Sequence, residues 1–470
     1  MRNLFGSQWL KIIIVFQISQ LFCLIPFYNF LDSTITMKLE DVKLHRTLGP
    51  IQLWGIAVGL VISGDYFGWN FGWSVASFWE FAFAVALVAV FYICFALCFT
   101  ELAASIPHAG GPSAYAEHAF GRWGGFISGY FVLCEFVLAP PAIASALGGY
   151  FHFLFPEIPV VWASFGFFAL LLSINLLGVK QTARFELFVT IVAVLGLLIY
   201  LSAVLPYFSF SHFPKWAGFG SLSFPSLFAS IPFAIWFFLA VEGVAMSAEE
   251  VRNPPRDIPI GYAAGIGTLI LLAAGVFVIT AGAVSTSEIS KIEYPLSFVL
   301  EKLYGTGSLI SVVFTFIGLF GLIASLFGII LGYSRLVYAL SLTRYLPKFL
   351  SKISRKNLVP KYAVLSGGVV GLVCLALSDT AQLITASALG ACGMYVVSML
   401  AYFALKIKEP NRNRPYQAPF YPLVPALAMG LGLIAFFAVA YSNSNVAIAV
   451  VLGFCVFGLV FYLKKLKSGI

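Results

Sequence analysis

Charge is what this 470-residue sequence has least of: 10% of it is Asp, Glu, Lys or Arg, against roughly 25% in soluble domains. No stretch is polar enough to form a soluble domain, which leaves a sensor nothing with which to signal. Histidine is scarce too. The five histidines (His45, His108, His118, His152 and His212) fall in loops or near the ends of apolar runs. They form no cluster with cysteine that could hold a metal or activate a nucleophile, so a membrane-embedded enzyme is only a remote alternative. The seven cysteines are odd in number and all lie within apolar runs, where neither a disulfide framework nor a zinc spacing emerges. Cys94 and Cys98, four residues apart, share a helix face as packing groups. Ten-residue segments of alternating polarity are missing, which excludes an outer-membrane barrel. Neither a resident cofactor nor a structural metal is expected.

What the sequence has is hydrophobicity: 61% apolar residues and a mean hydropathy of +0.97. The apolar runs are about 20 residues long, enough to cross a bilayer as helices. The expected fold is all-α and integral to the membrane, with twelve spans at about 48–75, 78–104, 122–154, 158–178, 185–206, 226–248, 259–284, 305–340, 361–378, 380–405, 420–441 and 445–463. With the N-terminus inside, the outer loops hold only Lys215, Lys291 and Lys302, and the inner side holds 22 of the 27 basic residues. That asymmetry predicts a cytoplasmic membrane protein with both termini cytoplasmic. The net charge of +8 then reflects orientation and attraction to anionic lipid rather than nucleic-acid binding. Residues 1–36 read as a doubtful extension, either an upstream-start artefact or an extra helix, ahead of a transport domain at 37–470.

Two spans are interrupted by acids. Ser63-Gly64-Asp65 breaks span 1, and Ala240-Val241-Glu242-Gly243 breaks span 6. A carboxylate inside a span costs roughly 2.5–3.5 kcal/mol on insertion scales and marks a functional site by default. Span 1 enters from inside and span 6 from outside. The breaks therefore meet near the midplane of an inverted 5+5 repeat, 48–206 against 226–406, with helices 11–12 (420–463) added. Paired interruptions of this kind are the best sequence pointer to a transporter's binding site. Glu135 lies at similar depth in span 3, ahead of Pro140 and Pro141, which are expected to kink that helix and free carbonyls. Asp65 could instead cap the half-helix that follows the break. Glu101 and Glu186, near span ends, read as structural.

Three ordered segments resemble the amino acid–polyamine–organocation (APC) transporter superfamily: TELAASIPHAGGPSAYAEHAFGRWGGFISGY at 100–130, EGVAMSAEEVRNPPRDIP at 242–259 and YSRLVYALSLTRYLPKFL at 333–350. The resemblance covers Leu48 to the end and implies a permease working by alternating access. Members of the superfamily usually carry an all-small break in span 1 that receives a substrate carboxylate. Here Asp65 stands in that triplet and favours an amine. Together ISGDYFGW, CEFVLAPP and WFFLAVEG look like the ethanolamine permease branch, with an amino-acid permease as the alternative. The resemblance implies a substrate site at Ser63, Gly64, Asp65, Glu135, Trp236, Phe238, Ala240, Glu242 and Gly243, with Ser63 a partner for a hydroxyl and Trp236 and Tyr66 as gates. Coupling could run through protonation of Glu135 or Glu242. A sodium ion between spans 1 and 8 would need hydroxyls, of which Ser325 is one. Oligomeric state is not legible.

Overall fold

The computed structural model describes residues 46–468, apart from 109, 179–182, 217, 355, 356 and 358. The N-terminal extension lies outside the described residues. Twelve apolar helices follow in order: α1 Pro50–Val61, α2 Phe78–Ser105, α3 Arg122–Leu154, α4 Val160–Leu176, α5 Ala183–Val204, α6 Phe224–Trp236, α7 Pro254–Ala283, α8 Leu309–Leu342, α9 Lys361–Leu377, α10 Thr380–Lys408, α11 Leu423–Ser442 and α12 Ser444–Ser468. Among the described residues eight stretches are long and apolar enough to cross a membrane, one of them α6 with its continuation to Glu250; α1, α4, α9 and the Ser444–Leu459 part of α12 are shorter apolar helices. No β-strand occurs among the described residues beyond one isolated bridge, Leu48 with Val251.

Helix ends follow local chemistry. Pro50 opens α1 at a position where its missing N–H costs nothing. At the start of α2, Glu80 accepts from the Ser77 N–H at 2.9 Å and from the Ser223 N–H at 2.8 Å, tying that end to the approach of α6. Asp379 caps α10 by accepting from the Gln382 N–H at 2.8 Å. Helix α3 runs unbroken through Pro140 and Pro141, so the double proline does not terminate it.

Small residues let the long helices touch. A Cβ at Gly390 of α10 would fall 2.7 Å from the Glu135 nitrogen and 2.8 Å from the Phe131 carbonyl oxygen, so the α3 and α10 backbones are nearly in contact there. Ser387, one turn earlier, donates to the Glu135 carbonyl at 2.9 Å. These contacts fix where Glu135 sits.

Glu101 is the buried anchor of one end of the bundle. It pairs with Lys406 at 2.6 Å and Arg414 at 3.2 Å, and it accepts from the Tyr402 hydroxyl and the Ala418 N–H, each at 2.8 Å. Both oxygens are engaged with cations or donors, the arrangement a buried charge requires. Glu101 is structural, as its sequence position suggests.

Candidate functional site

The two interrupted helices meet at the centre of the bundle, with break points displaced from those the sequence suggests. Helix α1 ends at Val61, but Ser63–Tyr66 continue as one helical turn. The chain then becomes extended at Phe67 (φ −159°) and left-handed at Gly68 (φ +91°), before a 3₁₀ turn at Trp69–Ser74. Asp65 thus lies just before the break rather than in its middle. The reason is steric: the reversal needs positive φ, and Gly68 supplies it at no cost. In the second case the α-helix ends at Trp236, four residues earlier than expected. Ala240 is left-handed (φ 73°), and Val241–Glu250 form a 3₁₀ helix. A non-glycine residue in that region stores strain of order 1–3 kcal/mol, and such residues cluster at functional sites.

The breaks pack directly on each other. A Cβ on Gly64 would lie 2.2 Å from the Trp236 carbonyl oxygen, and Trp236 Nε1 donates to the Phe67 carbonyl at 3.0 Å. Because the obstructing atom at Gly64 is backbone, Gly64→Ala is expected to push the breaks apart. We expect it to abolish transport and lower the melting temperature of the purified protein by several degrees. An active, equally stable G64A protein would show the contact to be dispensable.

Glu135, Ala240, Glu242 and Gly243 form one cluster. Glu135 Oε1 accepts from the Ala240 N–H at 3.1 Å, capping the backbone freed by the break. Glu135 and Glu242 are buried neighbours at the break, and each keeps one carboxyl oxygen that accepts no hydrogen bond among the described residues. Glu242 Oε2 accepts from Tyr395 at 3.4 Å, and the Tyr395 and Tyr92 hydroxyls are 2.8 Å apart. Phe238 packs on Tyr92, with ring centroids 5.0 Å apart. A Cβ on Gly243 would meet Leu60 of α1 at 2.6 Å. Sequence reasoning missed Tyr92 and Tyr395, two of 21 tyrosines. Within apolar spans nothing marks them out until Glu242 is placed beside them.

Asp65 stands apart from that cluster. It is fully buried, and neither carboxylate oxygen has a hydrogen-bond partner among the described residues. It makes no capping bond, so the helix-cap alternative finds no support in the geometry. Ser63 accepts from Ser325 of α8 at 2.9 Å, and Ser325 also lies 3.0 Å from the Leu60 carbonyl oxygen. Tyr66 is anchored: its hydroxyl donates to the Ala193 carbonyl at 2.7 Å and its ring stacks on Phe314. Trp236 and Phe238 are buried as well. The breaks are closed off from solvent.

A small cavity of about 100 Å³ runs from Gly243, Leu60 and Phe136 to Glu186, Glu250 and Arg335. Arg335 lies 3.8 Å from Glu250. Glu186 therefore lines a polar path toward the break, in addition to its place in the first turn of α5. Among the described residues no group of His, Cys, Asp and Glu is arranged to hold a metal ion.

Residues 48–461 match the model of a family described as amino acid permease. The chain belongs to that family. Its relatives include an uncharacterized transporter of Rhizobium meliloti, 28% identical over 454 residues, covering 93% of this chain and 96% of the relative. The branched-chain amino acid permease of Bacillus subtilis is 23% identical, covering 85% of this chain and 89% of its own length. The serine/threonine exchanger of Bacillus subtilis is 27% identical, covering 84% and 91%. This permease-family chain is accordingly a multi-pass membrane protein of the secondary-transporter kind, within the APC superfamily that the sequence segments suggest. Its relatives are transporters, not enzymes.

Proposed function

We propose that this permease imports a small solute bearing a primary ammonium group across the cytoplasmic membrane, by alternating access and with protons as the coupling ion. The observation that carries the proposal is the Asp65 carboxylate, buried without a partner beside the break. Such a carboxylate is costly to ionise without a partner, and an ammonium group placed against it would offset that cost. The relatives' names favour an amino acid as the solute, which makes amino-acid import the better supported reading.

A second reading, ethanolamine, rests on the character of the site. The Ala240 N–H is already taken by Glu135, and the Asp65 and Phe67 N–H groups bond to the carbonyls of Ile62 and Ser63. Acceptors outnumber free donors at the breaks, a setting that suits an amine better than a carboxylate.

Two features favour protons over sodium. Glu135 and Glu242 are two carboxyl groups buried side by side in a closed site, where one proton would relieve their mutual repulsion. The α1 carbonyl of Gly55 accepts from Thr190 at 3.1 Å, and the Leu60 carbonyl and Ser63 hydroxyl compete for the single hydroxyl proton of Ser325. The cavity lined by Glu186, Glu250 and Arg335 would be the inward route, if the basic loops face the cytoplasm.

Uptake into proteoliposomes tests the proposal, using labelled alanine, serine, leucine and ethanolamine with an inwardly directed proton gradient. Accumulation of an amino acid, unaffected by excess ethanolamine, establishes the first reading. Accumulation of ethanolamine, unaffected by amino acids, establishes the second. No accumulation of any ammonium solute overturns both.

A further inference from the structure

A groove lies between α2 and α7 on the outside of the bundle, with only its deep end, at Phe238, reaching the α6 break. Its volume is about 680 Å³, within the roughly 300–1,000 Å³ range of ligand sites. Its walls are Val85, Ala86, Ala274 and Phe277, and Phe213 and Lys215 close one end. Ala86 and Ala274 are exposed at the bundle surface, so the groove opens where acyl chains would lie.

The end at Lys215 carries the marks of a membrane interface. Trp79 donates to the Pro214 carbonyl at 2.8 Å and packs on Trp216 at 5.2 Å. Trp216 is 40% exposed, and the neighbouring Phe219 and Phe210 are 74% and 81% exposed. Exposed aromatic rings grouped at the end of a span sit at headgroup depth. Lys215 is the groove's one cationic wall residue, and no acidic side chain among the described residues pairs with it. An apolar trough with an unpaired ammonium at its mouth has the polarity of an anionic phospholipid. The deep end reaches Phe238, which packs on Tyr92.

We propose that this groove binds one glycerophospholipid with an anionic headgroup, its acyl chain lying between α2 and α7 and its phosphate paired with Lys215. The inference is independent of the transported solute. The lipid's tail lies against Phe238, two aromatic side chains away from Glu242.

Native mass spectrometry of the full-length protein, purified from bilayers holding equal phosphatidylglycerol and phosphatidylcholine, measures the retained lipid directly. The wild type is expected to retain one phosphatidylglycerol. Lys215→Ala should lower that preference about fivefold, the worth of one lysine at an anionic surface, and Lys215→Arg should keep it. Ala274→Trp and Ala86→Trp should reduce retention of both lipids by blocking the trough. These three positions face outward, so the variants should fold, with an unchanged melting profile as the check. Equal phosphatidylglycerol retention in wild type and K215A overturns the headgroup pairing. Undiminished retention in the tryptophan variants overturns the site itself.

Discussion

Replacing Glu242 with glutamine is expected to end proton-driven accumulation while leaving solute exchange at equal pH intact. The amide keeps the size and hydrogen-bonding shape of the protonated acid but has no proton to release. In the wild type, we expect a proton delivered from one side to neutralise the Glu135–Glu242 pair, and its departure on the other to leave two negative charges buried side by side. That repulsion supplies a free-energy difference between loaded and unloaded states, as ion coupling requires. With one proton per solute, a gradient of one pH unit sustains up to about tenfold accumulation. Glu242→Gln should bring that ratio to about one. Glu135→Gln should do the same, since its carbonyl oxygen can still accept from the Ala240 N–H. Accumulation that still follows the pH gradient in both variants would remove the pair from the coupling mechanism.

Asp65→Asn is expected to act in opposite directions on binding and on stability. The carboxylate is buried and unpartnered in this conformation. Neutralising it removes a desolvation cost from the empty protein, so the ligand-free melting temperature should rise. An ammonium ligand meanwhile loses its counter-charge. Deleting one member of a buried charge pair costs about 2–5 kcal/mol, which places the loss of affinity at roughly 100-fold or more. Thermal shift with and without substrate reads both effects in one experiment: higher baseline, no ligand-induced shift. A variant that binds normally would mean that Asp65 does not touch the ammonium. A variant that neither binds nor melts higher would assign Asp65 a packing role.

Much of this arrangement was legible in the sequence because acids are costly in apolar spans and therefore stand out. Asp65, Glu135 and Glu242 could be singled out from composition and depth alone, and the ordered motifs at 100–130, 242–259 and 333–350 carried the family. The break positions were less legible. An acid beside a glycine looks like an interruption, yet the chain reverses at Gly68 and unwinds after Trp236, where backbone dihedral angles and not polarity decide. Partners in space were not legible at all. Tyr395 is 153 residues from Glu242 and Ser325 is 262 from Ser63, separations that only packing can bridge. The Gly390–Glu135 approach belongs to the same class, since a glycine in an apolar span has many uses.

The bridge between Leu48 and Val251 bears on how such a molecule could open. The Thr47 and Leu48 N–H groups both donate to the Glu250 carbonyl, at 2.9 and 3.0 Å, and the Arg252 N–H donates to the Leu48 carbonyl at 2.9 Å. The start of α1 and the end of the 3₁₀ segment after α6 are therefore yoked, backbone to backbone, on the side of the breaks where the Arg335–Glu250 contact lies. Neither half-helix can swing alone without giving up three main-chain bonds. The cheaper motion swings both as one lever, pivoting about the Gly64–Trp236 crossing.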